Sequence, residues 1–191
     1  MTVTAGRPDQ MHVQLPGRPL TLDDVAQLAA ADESHRYELV EGNLLVMPPA
    51  DAEHAALITR LIVWLAAHGL PADMLLPTPG LRIAEQTTGR IPDLLVLRDR
   101  VAARTVWIEP VDVALAVEVV SPGSQKDDRL IEPIEYARVG IPHFWRVERD
   151  NGAVTVHMYQ LGLGEQGERT YLGHQAVPLD TLVAGEPPKL A

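Results

Sequence analysis

The chain has 191 residues, 46% hydrophobic and 22% charged, which suits one soluble domain with a sizeable core. With 26 acidic against 16 basic residues its formal charge is −10, so the whole-molecule field repels phosphate backbones and anionic lipid, and any nucleic-acid contact needs a local basic patch or a divalent cation. The absence of cysteine excludes disulfides, thiolate nucleophiles and cysteine-based zinc sites.

The first 20 residues contain neither a charged-then-apolar leader nor a membrane-length run, and no later stretch reaches the roughly 18 apolar residues a span needs. We expect a cytoplasmic protein with residues 1–20 frayed or disordered and a single domain over 21–191. Thr21 and Asp24 have the spacing of a capping box, which predicts a short helix to about Asp32. "RYELVEGNLLVMPP" reads as a hairpin turning at Glu41-Gly42-Asn43. From Asp51 to His68 apolar residues recur every three or four positions, ending at Gly69 and Pro71, so this is the clearest helix.

"DMLLPTPGLRIAE", "IPDLLVLRD" and "DVALAVEVVSP" are short, apolar and bounded by Pro or Gly, which predicts strands, the third fully buried. Pro133 fits the first turn of a helix through "IEYARVG". "HFWRVERD", an Asn151-Gly152 turn and "AVTVHMYQL" predict a second hairpin, followed by a loop, "LGLGEQGE", and an edge at "RTYLG". No repeat or linker divides the chain, so the fold class is α/β, with a central mixed sheet flanked by helices and hairpins at both ends.

Glu118 sits inside the most apolar run, "ALAVEVVSPG", where an unpaired ionised carboxylate is too costly to keep. It is either a structural glutamate bonded to a neighbouring strand or arginine, or a ligand. Asp93, in "IPD" 25 residues earlier, opens another buried strand. Two acids on adjacent strands repel, and a hard cation, Mg²⁺ or Mn²⁺, is the natural way to keep both ionised. Glu38, in "YELVEG", is a third candidate, although its spacing alone suits a solvent-facing strand residue.

"RYELVEGNLLVMPP", the acid-then-His helix start "DAEHAALITRLIVWL", "IPDLLVLRD", "AVEVVSPGS" and "YARVGIPHFWRVE", in that order from Thr21 to Tyr159, resemble the restriction endonuclease-like family of bacteria, a branch of the PD-(D/E)XK nuclease superfamily. The resemblance implies a restriction endonuclease-like core, homodimers, and a Mg²⁺-dependent endonuclease site hydrolysing DNA phosphodiesters. It places Asp93 and Glu118 as metal ligands, with the Val119 carbonyl beside them and Glu38 as a direct or supporting ligand. In such a site the metal polarises the phosphate and activates the attacking water.

One element departs from that pattern. Val120 stands two residues beyond Glu118, where the superfamily has lysine, and the alternative slot on the following helix, four residues before Tyr136, holds Glu132. A carboxylate is no substitute for an ammonium, although it can ligate a cation or act as a base. Lys126, the only lysine between Glu118 and Lys189, is therefore the candidate for the catalytic charge, with Arg129 a second and an exposed loop residue the bland alternative for both. His54 reads as a core-edge histidine or a partner of an acid. Trp107, Phe144, Trp145 and Tyr159 read as core or dimer contacts in preference to base-stacking groups. The competing functions are a catalytically degraded, homodimeric binding protein of the same fold and a hydrolase of some smaller phosphoester.

Overall fold

The structure is a computed structural model that describes residues 2–5, 11–14, 17–32, 34–47, 49–121, 123–150 and 152–190. Asn151, Pro122 and residues 1, 6–10, 15 and 16 of the segment expected to fray lie outside the described residues.

In chain order the elements are β1 (Thr2–Ala5), β2 (Met11–Gln14), α1 (Leu22–Ala31), β3 (Arg36–Val40), β4 (Asn43–Met47), α2 (Ala52–Ala67), β5 (Leu75–Pro77), β6 (Gly80–Ala84), β7 (Thr88–Arg90), β8 (Leu94–Leu97), β9 (Trp107–Ile108), β10 (Val113–Val119), α3 (Glu132–Val139), β11 (His143–Asp150), β12 (Ala153–Leu163), β13 (Arg169–Pro178) and α4 (Leu179–Val183). One π-type turn, Asp127–Ile131, leads directly into α3. Among the described residues no helix is long and apolar enough to cross a membrane.

The strands form two mixed sheets and a separate β1–β2 pair, so the single sheet expected from the sequence divides. The larger runs β13-β12-β11-β10-β8-β5, with β10 and β11 parallel, and the smaller runs β4-β3-β7-β6-β9. The chain changes sheets between β5 and β6. Pro77 and Pro79 lack amide donors, and Thr78 between them takes φ +49°, a conformation that ends a strand. β7 and β9 were not anticipated, because three and two residues are too few to show periodicity. Conversely, β12 continues through Leu163 into residues read as loop, pairing with β13 as far as Arg169.

α1 and α2 begin at side-chain caps. Thr21 and Asp24 form the expected reciprocal capping box of α1, and Asp51 accepts the His54 amide at the start of α2. On β10, Leu115, Val117 and Val119 pack on the α2 side with Leu61, Leu65 and Trp145, whereas Ala116 packs on the α3 side with Tyr136 and Phe144. Strand alternation therefore turns Glu118 towards α3.

The second sheet is fastened to α1 through Trp107, whose indole N–H donates to the Leu22 carbonyl at 3.0 Å. Gly89 lies against this contact. A methyl group there would sit 2.5 Å from Trp107 Cζ3 and 2.6 Å from Leu22 Cδ2. Gly89→Ala should destabilise the fold by about 1–3 kcal/mol through overpacking, read as a lower urea midpoint at unchanged m-value.

Candidate metal centre

Antiparallel pairing of β8 with β10 sets Val117 opposite Leu94, which carries Asp93 to the level of Glu118. Each acid is tied to the backbone of the opposite strand. The Asp93 amide donates to Glu118 Oε2 at 3.3 Å, and the Val119 amide donates to Asp93 Oδ2 at 2.9 Å. The other Asp93 oxygen faces two cationic or protonatable groups, His54 Nε2 at 2.9 Å and Arg36 Nη1 at 3.2 Å. His54 reaches it because it lies in the first turn of α2, which the Asp51 cap fixes.

A second cluster surrounds Arg90, which is only 2% exposed. Its Nη1 donates to Glu38 at 3.0 Å, and its Nε and Nη2 donate to the two oxygens of Glu135 at 2.8 and 3.3 Å. Glu38 also accepts the Ile91 amide at 2.9 Å. Glu38 is thus buried, not solvent-facing as its spacing alone suggested. Burial works against the Arg90 charge, but the flanking carboxylates outweigh it and hold the guanidinium protonated.

Among the described residues the third cluster has only Arg90, whose Nη1 lies 3.9 Å from Glu132 Oε1, beyond hydrogen-bonding distance. One ligand oxygen from each of Glu118, Asp128 and Glu132 lies within 4.8 Å of the others, all three residues being buried. Glu118 accepts the Tyr136 hydroxyl at 2.6 Å and Asp128 accepts the Ser124 hydroxyl. Glu132 Oε2 is buried with no hydrogen-bond partner among the described residues. Burial, reinforced by neighbouring carboxylates, raises Glu118 and Glu132 well above the usual carboxylate range and Asp128 to about 7.

These groups line one cleft of about 280 Å³, shared by Arg36, Glu38, His54, Asp93, Glu118, Val119, Asp128 and Glu132. Of the residues singled out from sequence, the structure brings together Asp93, Glu118, Val119, Glu38 and His54. It places Lys126 elsewhere, exposed at the start of the π-type turn and outside the cleft lining. Arg129 is exposed and paired with Glu148 at 2.6 Å, and Val120 is buried. Arg36, Arg90, Asp128 and Tyr136 were missed. Asp128 precedes Glu132 by four residues, a helical spacing that was visible; Arg90 lies on β7, which was not.

An all-carboxylate donor set of this kind suits a hard divalent cation, and the unpartnered Glu132 oxygen is what such an ion would satisfy.

A family model described as "Uma2: Putative restriction endonuclease" matches residues 22–185. Among solved structures the chain is similar to one described as a putative nuclease belonging to DUF820 from Anabaena variabilis ATCC 29413. The TM-score is 0.58 at 17% identity, over 81% of this chain and 84% of that one. No curated protein matches.

The raised carboxyls make the metal-free protein sensitive to pH. As pH climbs past the unfolded value, the unfolded chain releases a proton that folded Asp128 retains until about 7, so stability falls across that window. At 1.36 kcal/mol per unit, Asp128 alone accounts for about 4 kcal/mol at most. Asp24 and Asp32, held low by their hydrogen bonds, have the opposite sign but act only in stronger acid. The melting temperature of metal-free protein should therefore drop between pH 5 and 8, and Asp128→Asn should flatten the drop.

Proposed function

We propose, from the premise that this chain belongs to the Uma2 family, that it is a divalent-metal-dependent endonuclease hydrolysing DNA phosphodiester bonds in the cleft between β8, β10 and α3. One observation carries the reading. Two carboxylates on adjacent strands, Asp93 and Glu118, are held at one level by the Asp93 amide, which donates to Glu118, and the Val119 amide, which donates to Asp93, at the wall of an acid-rich cleft.

Asp93, Glu118 and the Val119 carbonyl would hold Mg²⁺ or Mn²⁺. When bound, the ion supplies Lewis acidity towards a phosphoryl oxygen and lowers the pKa of a water. The chain's own residues prepare the site. The Val119 amide and His54 fix the Asp93 carboxylate in one orientation, and the Tyr136 hydroxyl fixes that of Glu118. Glu38, neutralised by Arg90, supports the loop that enters β8 by accepting the Ile91 amide. Arg36 brings a guanidinium to the cleft beside Asp93, suited to paired hydrogen bonds with a phosphate. Lys126, exposed between the cleft-lining residues Ser124 and Asp127, is offered to the flanking phosphate backbone.

One observation favours a second reading, a non-catalytic homodimeric binding protein of the same fold in the cytoplasm: the position where the resemblance calls for a lysine holds buried Glu132. The exposed apolar side chains of Leu130 and Ile134 beside the cleft-forming helix give self-association a surface.

Incubation with plasmid and single-stranded DNA under Mg²⁺ or Mn²⁺ separates the two. The nuclease reading expects metal-dependent cleavage that Asp93→Ala and Glu118→Ala each reduce by at least about 100-fold, the upper range for losing even a partner of a metal ligand. Cleavage surviving both substitutions removes these acids from the mechanism. Metal binding by calorimetry without cleavage supports the binding protein.

A further inference from the structure

The cleft carboxylates divide by how their charge is met. Asp93 faces Arg36 and His54, and Glu38 and Glu135 share Arg90. Glu118, Asp128, Glu132 and the half-buried Asp127 are left over, and the first three converge. Among the described residues, the first two form no ion pair, and the third has only Arg90 Nη1 at 3.9 Å from its Oε1, beyond hydrogen-bonding distance. Glu132 is 5% exposed and lines the cleft; its Oε2 is buried with no hydrogen-bond partner among the described residues, and one of its oxygens lies within 4.8 Å of ligand oxygens of Glu118 and Asp128.

The arrangement is also one of shape. Glu132 is held at the start of α3 by Pro133 in the first helical turn, and Asp128 by the preceding π-type turn and Ser124. The two acids are one helical turn apart and face Glu118 across the cleft. Hydrogen bonds position all but Glu132, without supplying any positive charge. Oxygens within 4.8 Å of one another suit a cation whose ligands lie about 2.1 to 2.5 Å away.

We propose that Glu118, Asp128 and Glu132 form a second divalent-cation position, adjoining the one assigned to Asp93, Glu118 and Val119 and sharing Glu118 with it. The ion stands where a basic side chain from α3 would otherwise meet the cleft acids. Binding at this position does not require that the chain cleave DNA, so it is tested by binding alone.

MnCl₂ is titrated calorimetrically into the metal-stripped full chain and into Glu132→Gln, Asp128→Asn, Asp93→Asn and Glu132→Lys, each checked for folding by circular dichroism. Wild type should bind two ions. Glu132→Gln and Asp128→Asn should lose one, or weaken it at least 10-fold, the lower range for a partner of a metal ligand. Asp93→Asn should keep a Glu132-dependent ion. Glu132→Lys, with a tethered ammonium in the cation's place, should bind one ion and melt higher than metal-free wild type.

The proposal is overturned if Glu132→Gln matches wild type in number and affinity of ions, or if wild type binds none. A single ion lost in Asp93→Asn and kept in Glu132→Gln also overturns it, while leaving the nuclease reading intact. A single ion with the reverse dependence supports this position and removes Asp93 from metal binding.

Discussion

Glu118 cannot leave the core, and the cleft is built around that constraint. β10 is buried along its whole length, and its alternation gives one face to the α2 core and the other to α3. A glutamate at position 118 therefore meets α3 whatever else happens. The surroundings answer with donors that fix its orientation, Tyr136 Oη and the Asp93 amide, and with further acids in place of a counter-ion. Three buried carboxylates that converge with little counter-charge are costly in the ionised form, so they favour the neutral form unless a cation joins them. That convergence is the strongest physical sign that the cleft exists for a ligand.

The two arginines make the convergence tolerable. Arg90 is as buried as the core leucines and receives Glu38 and Glu135 from two different elements, β3 and α3, thereby joining the second sheet to the helix that walls the cleft. Arg36 does the same at the mouth, reaching from β3 to Asp93. Removing the acids one by one would thus not simply relieve repulsion, because each of Glu38, Glu135 and Asp93 also satisfies a cation that burial has made expensive. Among the described residues, Glu118 and Asp128 carry no such obligation, and Glu132 meets Arg90 only at 3.9 Å.

Much of this was legible in the residues, and the rest was hidden for definable reasons. Helical periodicity, the Thr21 capping box and the turn glycines gave α1, α2 and the hairpins, because these signals are local. The pairing of Asp93 with Glu118 followed from two acids in apolar strands. The division into two sheets was not legible, since it depends on Thr78 between two prolines and on strands of two and three residues. Arg90 was missed with its strand. Asp128 was passed over because attention rested on the nearby lysine and on the basic charge the resemblance called for, whereas the structure turns Lys126 outward and the acid inward.

The formal charge of −10 overstates what an approaching phosphate meets at this cleft. That figure counts every acid as ionised, yet burial keeps Glu118 and Glu132 protonated well above the usual carboxylate range and brings Asp128 to half-ionisation near 7. In the metal-free protein burial favours the protonated form of these three acids, and a bound cation would require their deprotonated form. The negative charge of these three acids is then smaller than the composition implies, and Arg36 brings a guanidinium to the same cleft. A tethered ammonium would give the same neutrality permanently. Carboxylates in its place make the neutrality exchangeable, so the charge of the cleft follows pH.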